Sequence, residues 1–196
     1  MIECLKSLFQ GRNDFMGKKI GIALVVIFVG ALCFGISRIA QNPEKYQSQD
    51  EPVSVIMDCS KFSRISSDEL KNEFGEPENI EDWTNETSKG DFQMQIYSYN
   101  LEDCYAEFIL YENSIVKLRL FSNSQWKVEG NNSDNIFTMF GIEPGENAKK
   151  IVDTGTTHKF SPVSDKVAQV EFYNYDEETK TFDTVYVTYN LNYFDQ

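Results

Sequence analysis

The sequence predicts an α+β domain that follows an N-terminal transmembrane helix. Three observations lead to this prediction: an uncharged apolar run at residues 20–36, two short helix signals that resemble each other, and alternating apolar residues after each of them. A helix with one apolar face and a sheet with one apolar face bury each other. We therefore expect two repeats, each a helix followed by an antiparallel meander, with both helices on one face of the sheet.

The uncharged run predicts a membrane-spanning helix. Its 17 residues, IGIALVVIFVGALCFGI, lie at the short end of what crosses a hydrocarbon core about 30 Å thick. Lys18, Lys19 and Arg38 flank the run and can extend to the interface. Because basic residues are concentrated before the run, we expect residues 1–19 in the cytoplasm and the rest outside a plasma membrane. A signal peptide cleaved near Gly35-Ile36-Ser37 is the alternative.

The chain after this run divides into a tether and one folded domain. Residues 37–52 are mostly polar, lack apolar periodicity and are predicted to be a tether. Residues 53–196 are then an extracytoplasmic domain with repeat halves at about 53–125 and 126–196. Residues 39–196 contain 13 basic and 29 acidic side chains, which excludes nucleic acid as a partner by charge repulsion. Solubility is sufficient to explain the acidity.

Two segments carry matching helix signals. Ser66 is placed as an N-cap with Glu69 completing a capping box, Leu70 and Phe74 lie on one helical face, and Gly75 ends the helix. The second signal starts at Ser133, and its apolar pair and terminal glycine complete the shared pattern S-D-x-[LI]-x3-F-G, at Ile136, Phe140 and Gly141. The recurrence predicts an internal repeat.

Alternating apolar residues after each helix signal predict strands. In the first half the alternating sets are Phe92, Met94 and Ile96, then Ala106, Phe108 and Leu110, then Val116, Leu118 and Leu120 after a turn at residues 112–114. In the second half they are Ala168, Val170 and Phe172, then Val185, Val187, Tyr189 and Leu191 after a polar loop at residues 176–180. Each half is therefore predicted to form an antiparallel meander.

The strand phases predict a tyrosine-rich face. If the apolar sets face the helices, the period of two residues sends these tyrosines to the opposite face of the sheet: Tyr97, Tyr99, Tyr105, Tyr111, Tyr173, Tyr175 and Tyr186. Tyrosine is enriched in recognition surfaces, so we predict that a protein partner binds there. The alternative is that tyrosine simply suits exposed strands.

Cys59 and Cys104 are the only thiols after residue 38. In an oxidising compartment an even pair could form a disulfide, and two separate buried thiols are the alternative.

Few residues suggest catalysis or metal binding. His158 is the only histidine, lies in a Gly/Thr-rich stretch and is expected in a surface loop. One histidine and four scattered cysteines do not form a spaced zinc cluster, and residues 176–178 lack the glycine and alternating ligands of a calcium loop. We therefore expect no metal and no cofactor. Two carboxylates are sufficient for glycosidase chemistry, so a cell-envelope hydrolase remains the alternative function.

Three stretches carry a family resemblance. The motif D-E-L-x3-F-G-E-P at residues 68–77, the following Trp83, and FILYENSIVKL at residues 108–118 resemble the module of the β-lactamase-inhibitor-protein-like and small outer-membrane-assembly lipoprotein families. The resemblance covers residues 66–120 closely and 133–191 loosely. It implies a tandem of modules that binds proteins or assists assembly, without catalysis. The chain departs from those families because it lacks a lipobox and a tryptophan after the second helix signal. We therefore expect a membrane-anchored extracytoplasmic recognition or assembly module.

Overall fold

The computed structural model describes residues 53–130 and 134–194, and within them the protein is mainly one antiparallel sheet of eight strands. The strands are β1 (Asn79–Thr87), β2 (Gly90–Asn100), β3 (Cys104–Tyr111), β4 (Ser114–Lys127), β5 (Lys150–Thr154), β6 (Thr157–Phe160), β7 (Gln169–Tyr173) and β8 (Thr181–Thr188). Their order in the sheet is β1-β2-β3-β4-β8-β7-β6-β5. The helices are α1 (Ser67–Phe74), α2 (Asn135–Thr138) and two 3-10 helices, Cys59–Phe62 and Leu191–Tyr193.

Helix α1 begins where the sequence predicts. The Ser66 hydroxyl accepts a hydrogen bond from the Glu69 amide at 3.3 Å, and the Ser66 amide donates to Glu69 Oε2 at 2.8 Å. This reciprocal capping box satisfies two amides that the first helical turn leaves without a partner. Leu70 is fully buried against the sheet, and Gly75 ends the helix with a φ of 83°. The first helix prediction is confirmed.

The predicted tandem of two helix-plus-meander repeats is wrong. Helix α2 has four residues, and Asp134 before it makes no side-chain cap. Its apolar residues Ile136, Phe137, Met139 and Phe140 are all buried, while Asp134 and Thr138 are exposed, so the segment has an apolar side but only about one turn of helix. Strands β4 and β8 pair with each other, which joins all strands into a single sheet. The fold is therefore one continuous sheet with few helices.

The predicted membrane anchor receives no support from the described part of the chain. No helix within residues 53–130 and 134–194 is long and apolar enough to cross a membrane. The predicted span at residues 20–36, with the cytoplasmic segment and the tether on either side of it, lies outside the described residues. The predicted single-pass localisation in the plasma membrane is contradicted to that extent, and the bilayer as a partner of residues 20–36 stays a prediction.

The main core lies between the sheet and the helices. One row of it runs in register across five neighbouring strands: Tyr97, Phe108, Leu118, Val187 and Val170. Side chains from the first 3-10 helix, α1 and the α2 segment cover this row. The aromatic contacts are close, with ring centroids 5.1 Å apart for Phe62 and Phe108. Both helices and the first 3-10 helix therefore cover the same face of the sheet.

A smaller apolar cluster occupies part of the opposite face. Met94, Ile109 and Val116 are buried there, and Phe92, Ile96, Trp83, Tyr111, Tyr193 and Phe194 pack against them. The Asn85 amide donates to the Tyr193 carbonyl at 2.6 Å and holds the C-terminal 3-10 helix on this face. The phase predicted for β2 is therefore inverted: Phe92, Met94 and Ile96 lie away from the helices. The alternation could not reveal this, because both sides of β2 contact apolar cover.

Candidate functional site

The sheet face opposite the helices, here called the open face, carries a cluster of aromatic and charged side chains beyond the C-terminal 3-10 helix. One row contains Glu107, Arg119, Tyr186, Glu171 and Lys159, each paired in register with the next. The neighbouring row contains Tyr105, Phe121, Thr184 and Tyr173. Lys117 lies two residues before Arg119 on β4 and therefore on the same face. These side chains, without Thr184, form the open-face cluster.

The aromatic members of the cluster make a connected, half-buried surface. The ring centroids of Tyr173 and Tyr186 are 5.0 Å apart, and Phe121 lies 6.1 Å from both Tyr105 and Tyr186. Tilted and edge-on contacts of this kind stabilise aromatic pairs beyond their buried area. The rings hold one another in place across β3, β4, β8 and β7.

Arg119 is fixed by rings on two sides. Its guanidinium carbon lies 5.8 Å from the Trp83 ring centroid and 5.4 Å from that of Tyr186, within the range of a cation–π interaction. Nη1 lies 3.3 Å from Glu107 Oε2, which makes a partly buried ion pair. Nε is buried and, within the described residues, has no hydrogen-bond partner. The guanidinium therefore keeps unused donor capacity on this face.

Lys117 is a half-buried cation held mainly by aromatic rings. Its Nζ lies 5.1 Å from the Tyr186 ring centroid and 5.0 Å from that of Phe194. Burial lowers the pKa of this lysine to about 8. Within the described residues no carboxylate oxygen lies within 4.0 Å of Nζ. Its positive charge therefore destabilises the unbound protein.

Glu171 is a buried carboxylate with its own set of donors. It is 9% exposed and accepts hydrogen bonds from Tyr173 Oη at 2.5 Å and from Gln169 Nε2 at 2.8 Å. Lys159 Nζ lies 3.9 Å from it. Burial and the bond to Glu171 raise the pKa of Tyr173, so the phenol stays protonated and keeps donating. This network fixes the orientation of Tyr173 at the surface.

The seven predicted tyrosines divide between the two faces. Tyr105, Tyr173 and Tyr186 belong to the open-face cluster, and Tyr111 packs 4.3 Å from Tyr193 in the smaller apolar cluster. The remaining three lie on the helix side: Tyr97, Tyr99 and Tyr175. Tyr99 is 3% exposed and donates to the Gly75 carbonyl at the end of α1, and burial raises its pKa to about 12. The prediction that all seven share one face is wrong.

Sequence reasoning missed six members of the open-face cluster and Trp83 beside it; the six are Glu107, Lys117, Arg119, Phe121, Lys159 and Glu171. The signal for three of them was present in β4, where Lys117, Arg119 and Phe121 alternate with buried Val116, Leu118 and Leu120. The prediction of the face was based on tyrosines alone and therefore did not include these three residues. Trp83 has no such signal, since β1 alternates only between half-buried and exposed positions.

Cys104 lines a cleft of about 380 Å³ that Asp58 and Lys61 also line, at the first 3-10 helix. Cys59 and Cys104 are both buried and free, so the disulfide is not formed in this structure. Burial raises the pKa of both thiols, that of Cys104 to about 11. At neutral pH both are therefore protonated and weakly reactive.

Three side chains from separate elements could hold a metal ion. Asp153 on β5, His158 on β6 and Glu177 in the β7–β8 loop place ligand atoms within 4.8 Å of one another. His158 is 5% exposed and lies on a strand, which corrects the expectation of a surface-loop histidine. Sequence reasoning missed this group because 19 residues separate His158 from Glu177, and only the sheet brings them together.

Comparisons with known proteins leave the family open. No protein-family model matches the sequence, and no curated protein is significantly similar to it. The chain is similar in part to the crystal structure of a cysteine-rich secretory protein from Staphylococcus aureus, at 14% identity and a TM-score of 0.39, covering 69% of this chain and 47% of that one. It is also similar to an extracellular protein containing an SCP domain from Bacillus anthracis, at 14% identity and a TM-score of 0.38, covering 75% and 49%. The chain thus spans about half the length of these structures, and likeness at this level assigns neither a fold family nor an activity.

Proposed function

We propose that the protein is a recognition module that binds a protein partner through the open-face cluster and catalyses no reaction. The observation that carries this proposal is the set of half-exposed rings and cations that lie in register across β3, β4, β8 and β7. Tyrosine, tryptophan and arginine dominate the binding energy of protein interfaces. Their contacts with one another mean that little side-chain entropy is lost when a partner docks.

The charges of the cluster favour a partner that presents a carboxylate beside apolar side chains. Lys117 and the Nε of Arg119 both lack an acceptor within the described residues. A carboxylate that docks beside Lys117 would compensate the desolvation of that lysine. The apolar neighbours of that carboxylate would cover the rings. Nucleic acid does not fit, because the chain has a net charge of −13.

Site-specific photo-crosslinking in cells of the source organism tests the proposal. We would place a photoreactive amino acid at Tyr105 or Phe121 of the full chain, and at Ile80 as the matched control. Ile80 is 46% exposed and pairs with Tyr97, which places it on the helix side of the edge strand. We expect one protein to be captured from both open-face positions and not from Ile80, since only the open face is expected to lie at the interface.

The captured protein should also depend on the cations. Its capture should fall several-fold in Lys117→Met and in Arg119→Gln, and remain in Lys127→Met, an exposed lysine on the same strand. Equal capture from Ile80 and from the open face, or no capture from either open-face position, would contradict the proposal.

A further inference from the structure

His158 is held in a buried position at one end of the sheet. It lies on β6 directly across from Asp153 on β5, and its ring centroid is 4.3 Å from that of Tyr175 with an edge-on geometry. The side chain is 6% exposed. A buried polar ring of this kind is expected to have both nitrogens satisfied.

Each ring nitrogen lies beside a carboxylate oxygen. Nδ1 lies 3.0 Å from Asp153 Oδ1, whereas Nε2 lies 3.3 Å from Glu177 Oε1 and is buried without a hydrogen-bond partner among the described residues. Asp153 Oδ1 beside Nδ1 favours the neutral tautomer that carries its proton on Nδ1. Its Nε2 lone pair then faces a carboxylate oxygen.

The two carboxylates are oriented from outside the group. Lys150 Nζ lies 3.3 Å from Asp153 Oδ2, and Lys180 Nζ lies 2.7 Å from Glu177 Oε2. Each lysine thus occupies one carboxylate oxygen, and the other oxygen is directed at the imidazole. Two electron-pair donors, Nε2 and Oε1, therefore face each other in a partly desolvated place.

We propose that a divalent transition-metal ion, Zn²⁺ by its chemistry, binds between His158 Nε2 and Glu177 Oε1. Two ligands of a tetrahedral zinc ion at bond lengths of about 2.0–2.1 Å are separated by about 3.3 Å, which is the observed distance between these atoms. Asp153 accepts the Nδ1 proton and orients the imidazole, as carboxylates commonly do behind metal-binding histidines. Water completes the coordination shell. Calcium and magnesium are disfavoured because a neutral imidazole is a poor ligand for them.

The site would add a connection between two parts of the sheet that already meet through the hydrogen bond from the Tyr175 amide to the Thr156 carbonyl and through the contact of the His158 and Tyr175 rings. His158 and Asp153 belong to the β5–β6 hairpin, where β5 is an edge strand, and Glu177 belongs to the loop between β7 and β8. A metal ion bound to both would restrain the hairpin against that loop. Its effect on the protein is therefore structural, through stabilisation of this end of the sheet.

The test combines calorimetry with nuclear magnetic resonance on the full chain. We would titrate Zn²⁺ at pH 7.5 into the parent protein, Glu177→Gln and Glu178→Gln. Glu177→Gln removes one ligand from an exposed loop, and Glu178→Gln changes its exposed neighbour as the matched control. We expect the affinity to fall at least tenfold in Glu177→Gln and to be unchanged in Glu178→Gln.

The single histidine supplies an independent readout. Because His158 is the only imidazole in the chain, its ring nitrogen resonances report on this site alone, and zinc bound to cysteines elsewhere does not move them. We expect saturating Zn²⁺ to shift the Nε2 resonance, with Nδ1 remaining protonated. An imidazole that does not respond to Zn²⁺, or equal affinity in Glu177→Gln and the parent, would overturn the proposal.

Discussion

Lys117 shows how a single residue links the stability of this protein to its proposed function. Aromatic rings surround its ammonium group at distances of 5.1 and 5.0 Å, and its pKa falls to about 8 because burial penalises the charge. A charged group in such a place destabilises the folded state unless a partner compensates it. Binding surfaces commonly retain groups that are costly in the free protein and favourable in the complex.

Replacing this lysine should therefore stabilise the isolated protein. The lysine is charged in both states below about pH 8, and as the pH rises from about 8 to 10.5 the folded form releases its proton first, so the penalty disappears. We expect Lys117→Met to raise the free energy of unfolding by about 1–2 kcal/mol at pH 7, less than the full value of the shift because the side chain is partly exposed to water.

Urea unfolding of Lys117→Met and the parent at pH 7, 8.5 and 9.5 would measure this. The difference in unfolding free energy should shrink as the pH rises, and the exposed Lys127→Met should show no such trend. A difference that stays constant with pH, or a destabilised Lys117→Met, would disprove this explanation of the lysine.

Elements whose signals come from neighbours in the sequence could be predicted, and features that depend on distant contacts could not. The capping box at Ser66 and Glu69 involves neighbours in sequence, and α1 begins where it predicts. The α2 segment carries the same letters and turns at Gly141 as predicted, but its helix has only four residues and Asp134 makes no side-chain cap there. The phase of β2 depends on the C-terminal 3-10 helix about a hundred residues later. A local sequence pattern does not predict tertiary contacts of this kind.

A substitution at Gly141 tests the turn that follows helix α2. Its φ is +59°, and a Cβ there would lie 2.7 Å from the Cα of Asp58, so both the backbone conformation and the space require glycine. We expect Gly141→Ala to destabilise the protein by about 3 kcal/mol, from left-handed strain together with overpacking. Gly155→Ala is the control, because nothing lies within 4 Å of its Cβ position.

Thermal unfolding of both variants would measure this difference in stability. The Gly155→Ala melting temperature should match that of the parent, whereas Gly141→Ala should melt well below it. If the two variants melt together, the chain does not turn under Asp58 as the structure has it.

At the scale of the whole molecule, the two faces of the sheet differ in burial and in composition. The helix side is a dry core that includes Phe62, Phe108, Phe140, Phe172 and Phe182. The opposite face is apolar only where the C-terminal 3-10 helix covers it, and beyond that cover it carries the open-face cluster. An open sheet face with this content was predictable from strand alternation in β4, β7 and β8. Which tyrosines belong to that face was not predictable, since Tyr97, Tyr99 and Tyr175 lie in the main core instead.

The affinity of the crosslinked partner for defined variants tests recognition by the open face most directly. We would purify that partner and titrate it by calorimetry into the full-length parent, the double variant Phe121→Ala/Tyr186→Ala, and Tyr175→Ala. Tyr175 is half-buried like the two open-face residues but lies on the helix side, so it controls for general loss of packing. We expect binding to be weakened by at least about tenfold in the double variant, equivalent to about 1.4 kcal/mol, and to be nearly unchanged in Tyr175→Ala. Parent-like affinity in a folded double variant would contradict recognition by the open face.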